Sequence, residues 1–250
     1  MGERIRIRSS RRGRALEIDG TFASFVPHAG VATGSVWDAL VAPLLALEPA
    51  RRRSVLILGL GGGSAARIVR AIAPSARIVG VEFDRAVVAA ARRHFDLDAL
   101  GIEIVCDDAR GVLARERRRF DLVIEDVFVG RGRAVHKPEW LPTPFLALAA
   151  RRVAPGGVLV SNSIDEAAAV LRVMRALRPH VLELRVDGYD NRIFAGSARP
   201  LDARALRAAI AAEGTLASTL DRLALRDVAS ASRAPRSPRA HPLRRPARAR

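Results

Sequence analysis

The chain is poor in cysteine, lysine and aromatic residues, and each shortage removes a class of function. A single cysteine, Cys106, can neither close an internal disulfide nor build a cysteine-rich metal site. No metal is therefore expected, and Cys106 reads as a small buried side chain in a strand. Aromatic residues make up 4% of the chain, too few for the stacking platforms of a single-strand nucleic-acid binder. Apolar runs are short as well: Val36 to Leu47 and Val55 to Leu60 are broken by Asp38, Pro43 or glycine before the roughly 18 residues that a membrane span requires. At the start, arginines lead directly into Ala15-Leu16-Glu17-Ile18-Asp19, which is too short and too acidic for a secretory signal. A cytoplasmic protein with no membrane partner is the expectation.

Of the 42 basic residues only Lys137 is lysine, and against 26 acids the net charge is +16. Much of that excess lies at the ends, with six arginines in residues 1–14 and seven, against no acid, in 228–250. Arginine and alanine are abundant throughout, which marks a coding bias, so the basicity does not make nucleic acid an expected partner. Apolar residues at 49% and charged residues at 27% suit a globular core.

Three regions follow from the patterning. Residues 1–33 form a β-hairpin region, because Arg4 to Arg8 alternates and Ala15 to Ile18 and Thr21 to Val26 flank an Asp19-Gly20 turn. Residues 34–228 form the main domain, opening with a helix over Gly34 to Leu47 that Ser35 would cap. Residues 229–250 mix Ser, Pro, Ala and Arg with almost no large apolar group, and their composition predicts a disordered tail. Within the main domain, short apolar runs at Val55 to Leu58, Arg77 to Val81, Ile102 to Cys106, Leu122 to Ile124 and Val158 to Val160 alternate with amphipathic helices. That alternation predicts a parallel sheet with helices on both faces, closed by an antiparallel pair at Val181 to Val186 and Arg192 to Gly196.

The first run ends in Gly59-Leu60-Gly61-Gly62-Gly63-Ser64 directly before a helix, where glycine lets a ligand approach the backbone and the helix start offers N–H groups. Ser64 stands where a dinucleotide fingerprint has its third glycine, which argues against a nicotinamide oxidoreductase. Glu82, at the end of the second run, can accept from both hydroxyls of a ribose, and Asp84 caps the helix that follows. The third run leads into Asp107-Asp108-Ala109, where a carboxylate could meet an adenine amino group. The fourth runs through Phe120-Asp121 to Glu125-Asp126, and its terminal carboxylate is placed to free the lone pair of an amine.

This combination, from about Gly20 to Ser197, resembles the spermidine synthase (polyamine aminopropyltransferase) family within the class I S-adenosylmethionine-dependent methyltransferase fold. The resemblance implies a Rossmann-like α/β domain with a mostly parallel seven-stranded sheet. It also implies S-adenosylmethionine or its decarboxylated form as cofactor, with Gly59, Gly61 and Gly62 on the methionine portion, Glu82 on the ribose, Phe83 on the adenine face, and Asp108 and Ala109 on the adenine edge. Asp126 matches the first acid of the family's D-S-T/S-D-P signature and is the catalytic candidate, whereas Val127-Phe128-Val129-Gly130 lacks the second acid and the proline. Trp37-Asp38 stands where the family has Tyr-Gln, so Trp37, Asp38 and the turn residue Tyr189 are substrate candidates, with Asp38 as a replacement acid. Aminopropyl transfer to a polyamine-like amine is the expected activity. Methyl transfer to another small acceptor and a non-catalytic nucleoside-binding relative are the alternatives, and a homodimer is kept open.

Overall fold

The computed structural model describes residues 4–228. The tail expected over 229–250 lies outside the described residues. Strands β1 (Ile5–Ser9), β2 (Gly13–Ile18) and β3 (Thr21–Pro27) make a small antiparallel sheet in the order β1-β2-β3. The Asp19-Gly20 turn joins β2 to β3, with both residues at positive φ, and the alternating Arg/Ile segment adds β1 as a third strand. Helix α1 (Val36–Val41) is shorter than the periodicity predicted, because Pro43 and its neighbours continue as a 3-10 turn. Ser35 occupies the cap position without a side-chain hydrogen bond, contrary to expectation.

The main domain then runs β4 (Ser54–Leu58), α2 (Ser64–Ile72), β5 (Arg77–Glu82), α3 (Arg85–Phe95), β6 (Glu103–Cys106), α4 (Ala109–Arg115), β7 (Phe120–Glu125), α5 (Phe145–Arg151), β8 (Val153–Ser163), α6 (Ala167–Leu177), β9 (His180–Val186), β10 (Arg192–Ser197), α7 (Ala203–Glu213) and β11 (Leu223–Val228). Its sheet has eight strands in the order β11-β9-β10-β8-β7-β4-β5-β6, one more than expected. The additional strand is β11, which pairs antiparallel with β9 at the edge. The five strands from β8 to β6 are parallel, and β10 runs antiparallel between β8 and β9.

The central strands are apolar on both faces, as buried parallel strands must be. Val55 and Ile57 of β4 join Ile124 of β7 in a core shared with α1, α2 and α7, whereas Leu56 and Leu58 join Val123 in a core shared with α4, α5 and α6. The period of two along β7 therefore sends Glu125 to the α4–α6 face and Asp126 to the α1–α2 face. Among the described residues, no helix is long and apolar enough to cross a membrane.

Candidate active site

The carboxyl ends of β5, β4 and β7 lie side by side, and each contributes one sequence-predicted group. At the end of β4 the backbone of Gly59 has φ +91°, and a Cβ there would run into the Asp126 carbonyl. Asp126 N–H donates to Leu58 O at 2.8 Å, so the glycine turn and the end of β7 touch through bare backbone. From β5, Glu82 accepts from Gly61 N–H at 2.9 Å through one oxygen and from Asp84 N–H at 3.1 Å through the other. Burial raises the Glu82 carboxyl above the usual carboxylate range, and these backbone donors oppose the rise. Next to it Phe83 is 77% exposed, an aromatic face left open at the sheet's mouth.

Asp126 is half-buried beneath α1. Its Oδ1 accepts from Asn162 Nδ2 at 2.8 Å. Burial is the main cause that pushes its carboxyl up to about 7, with Glu125 adding to the rise; the Asn162 hydrogen bond, the Lys137 charge and a hydrogen bond from Trp37 hold it from going further. A carboxylate that titrates near neutrality can take a proton and release it again at working pH. Trp37 is thus brought to the catalytic candidate, and its ring meets the exposed Phe22 edge-on at 5.1 Å between centroids.

Glu125, one residue earlier, has a different fate. It is fully buried, and Lys137 Nζ donates to its Oε1 at 2.6 Å while Ser161 Oγ donates to its Oε2 at 2.6 Å. The Lys137 ammonium also donates to Val127 O at 2.9 Å and lies 3.9 Å from the centre of the Phe128 ring, and its backbone N–H donates to Glu166 Oε1 at 2.7 Å. The loop after β7 is therefore strapped to the sheet and to the start of α6 by the chain's one lysine.

One expectation is corrected, that for Asp38, and the other sequence-predicted residues have the surroundings given after it. Asp38 is no replacement acid for substrate: it is fully buried, and its carboxylate accepts from Thr33 N–H and Oγ1, Gly34 N–H and Thr219 Oγ1, a complete shell that ties the start of α1 to residues near the end of the domain. Gly61 and Gly62 face the small sheet, because Gly62 N–H donates to Ser24 Oγ at 2.6 Å and a Cβ on Gly62 would lie 2.8 Å from Ser24 Cβ. Ser64 completes that latch, donating to Phe25 O and accepting from Phe25 N–H, both at 2.8 Å. Asp108 caps α4, accepting from Arg110 N–H at 3.2 Å and from Arg110 Nε at 3.1 Å, with Ala109 buried behind it. Tyr189 is half-buried in the β9–β10 turn, which reaches the site through Asn191: Asn191 Nδ2 donates to Asn162 Oδ1 at 2.9 Å.

The sequence reading missed Asn162, Lys137 and Ser24. A signal existed for two of them, since Lys137 is a lone lysine in an arginine-rich chain and Asn162 lies just beyond the apolar run Val158 to Val160, at the carboxyl end of a strand. A groove of about 570 Å³ lies elsewhere, along the outer side of α3 between Arg85, Arg92, Arg93 and Cys106.

A family profile described as "Methyltransferase domain" matches residues 55–157. The chain is 33% identical over 132 residues to a probable polyamine aminopropyl transferase of Bifidobacterium longum, a match that covers 52% of this chain and 28% of the relative. The chain thus spans little more than a quarter of that relative's length. In structure it is similar to a probable spermidine synthase from Corynebacterium glutamicum, with a TM-score of 0.72 at 24% identity, covering 89% of this chain and 87% of the other. It is also similar to human methyltransferase-like protein 13 in complex with SAH, with a TM-score of 0.61 at 23% identity over 74% of this chain and 92% of the other. The chain carries the class I methyltransferase fold, and its sequence relatives include polyamine aminopropyltransferases and an eEF1A lysine and N-terminal methyltransferase homolog of Drosophila melanogaster.

Proposed function

We propose that this protein is a transferase that binds S-adenosylmethionine or its decarboxylated form and passes an aminopropyl group to an amine, with Asp126 as the proton acceptor. The observation that carries the reading is Asp126 itself, a carboxyl raised to about 7 and held against the glycine turn of β4. The residues present fit an adenosyl group: Glu82 stands at the end of β5 beside the glycine turn, with lone pairs beyond its two backbone donors, and Phe83 next to it exposes its ring. When bound, such a cofactor supplies an electrophilic carbon on a sulfonium, so the protein's task is alignment and proton removal.

An acceptor amine is mostly protonated at neutral pH and cannot attack until its lone pair is freed. Asp126 takes that proton. Asn162 and Trp37 hold its carboxylate, and the Trp37 ring packs edge-on against Phe22. The names of the relatives support aminopropyl transfer. One feature favours a second reading, methyl transfer to a small molecule: the loop after Asp126 offers Val129, 42% exposed, where a second acid would hold a polyammonium acceptor. Isothermal calorimetry of the full chain with each cofactor form separates the two. Tighter binding of the decarboxylated form supports aminopropyl transfer, tighter binding of S-adenosylmethionine supports methyl transfer, and binding of neither overturns the transferase reading.

A further inference from the structure

Asp126 is the middle residue of a turn that its preceding neighbour closes. The Glu125 side chain folds forward, and its Oε1 accepts from the N–H of Val127 at 2.8 Å. The same oxygen accepts from Lys137 Nζ at 2.6 Å, and the ammonium donates onward to Val127 O at 2.9 Å. Both backbone groups of Val127 are thus taken by the Glu125–Lys137 pair. On the other side, Asp126 N–H donates to Leu58 O at 2.8 Å, and Ser161 Oγ holds the second Glu125 oxygen at 2.6 Å. The peptide units that flank the Asp126 Cα are therefore both fixed, one by β4 and the other by a side-chain clip.

We propose that Glu125 and Lys137 are positioning residues for the base: from the opposite face of the sheet they clip the backbone that follows Asp126 and so aim its carboxylate at the acceptor amine. This inference rests on the transferase reading above. Among the described residues, neither side chain hydrogen-bonds the Asp126 carboxylate, whose partners are Asn162 and Trp37. The pair acts through backbone torsions. With the clip open, the peptide between Asp126 and Val127 is free to rotate, and a displacement of the carboxylate by about 1 Å is enough to cost up to about 100-fold in rate.

The chemistry of the pair suits this task better than a role in stability. Both side chains are fully buried, and desolvation offsets most of the attraction between two such charges, so an apolar pair of the same volume would hold the fold as well. What an apolar pair would not supply is an acceptor for Val127 N–H and a donor for Val127 O. The clip is also anchored from outside the turn: Lys137 N–H donates to Glu166 Oε1 at 2.7 Å, just before α6, and the register of β7 sets Glu125 against Leu58 on one side and Ser161 on the other.

Lys137→Met alone mixes aim with stability, so the test uses the full chain carrying Glu125→Gln and Lys137→Met together, which leaves no uncompensated charge and removes only the donor to Val127 O. In this variant kcat should fall about 10-fold, while cofactor affinity and the acceptor KM stay within about twofold of wild type. Glu125→Met with Lys137→Met opens the clip on both sides, and kcat should fall further, toward about 100-fold; if that variant does not fold, the first decides alone. Nitrogen-15 relaxation, which needs no substrate, should show the order parameters of the Asp126 and Val127 amides dropping from about 0.85 toward about 0.6, with those of β4 and β8 unchanged. A kcat at the wild-type value in the stable double variant overturns the proposal and leaves the pair structural only. Unchanged order parameters overturn it too, as does a defect in KM or cofactor affinity with kcat intact. Absence of transfer to any amine by the wild type would sink the functional reading, and the relaxation data would still decide whether the clip holds the turn.

Discussion

Glu125 and Asp126 are neighbours with opposite fates, and the pleat of β7 is the cause. Glu125 points toward α4–α6 and is neutralised by Lys137; Asp126 points toward α1 and receives an amide and an indole. The parity was legible, since a period of two requires adjacent side chains on opposite faces. The partner Asn162 was not, because residues distant in sequence meet only through the β7–β8 register, which sets Glu125 opposite Ser161. If Asp126 is the proton acceptor, Asp126→Asn lowers single-turnover rates by about 10²- to 10⁴-fold with cofactor affinity unchanged. A ratio near one would remove Asp126 from the mechanism.

The same residue makes a stability prediction of definite sign. The folded pKa, about 7, lies above the ordinary 3.8, so the folded state binds the proton more tightly. The resulting stabilisation is present below pH of about 4 and is lost as pH rises through about 7, up to about 4 kcal/mol and less where solvent reaches this half-buried group. Asp126→Asn removes the loss, so urea denaturation should show the variant gaining on wild type at pH 8 relative to pH 5. For Glu82, replacement by Ala should weaken adenosyl-cofactor binding by about 2–4 kcal/mol. An unchanged dissociation constant in calorimetry would contradict its assignment to the ribose.

At the scale of elements, the βα alternation from β4 to β8 was readable because each strand is a short apolar run and each helix has a buried stripe. Helix α7 and strand β11 were not. Only Leu206 and Ile210 of α7 are buried in a background of Ala and Arg, and β11 buries little beyond Leu223, so neither shows a clear period. Partnership between elements was equally hidden: Ser64 looked like a missing glycine, yet it binds the backbone of β3 in both directions. The loop from β7 to α5 hangs on Lys137. Lys137→Met leaves Glu125 buried without its cation, and a loss of about 3–5 kcal/mol is expected in chemical denaturation. The double change Lys137→Met with Glu125→Gln should recover a large part of it, because no uncompensated charge then remains.

Over the whole molecule, Asp38 joins the two ends of the main domain. It gathers Thr33 and Gly34 on one side and Thr219 on the other, and Arg222 donates to Gly34 O at 2.8 Å beside it. Asp38→Ala leaves several buried donors without an acceptor and should lower the melting temperature by several degrees. Cofactor affinity should stay unchanged, since Asp38 does not face the glycine turn; a cofactor-binding defect with normal stability would contradict this separation.

The strand order has a further consequence during synthesis. Strand β4 lies in the middle of the sheet, between β5 and β7. It finds β5 soon after leaving the ribosome, but its other edge has no mate until the chain has grown to residue 125. At roughly 5–20 residues per second this leaves an apolar strand with one open edge for several seconds. Nascent chains should therefore be most exposed to misassembly while the segment between β5 and β7 is being made, and a stall there should increase aggregation more than one placed after β8.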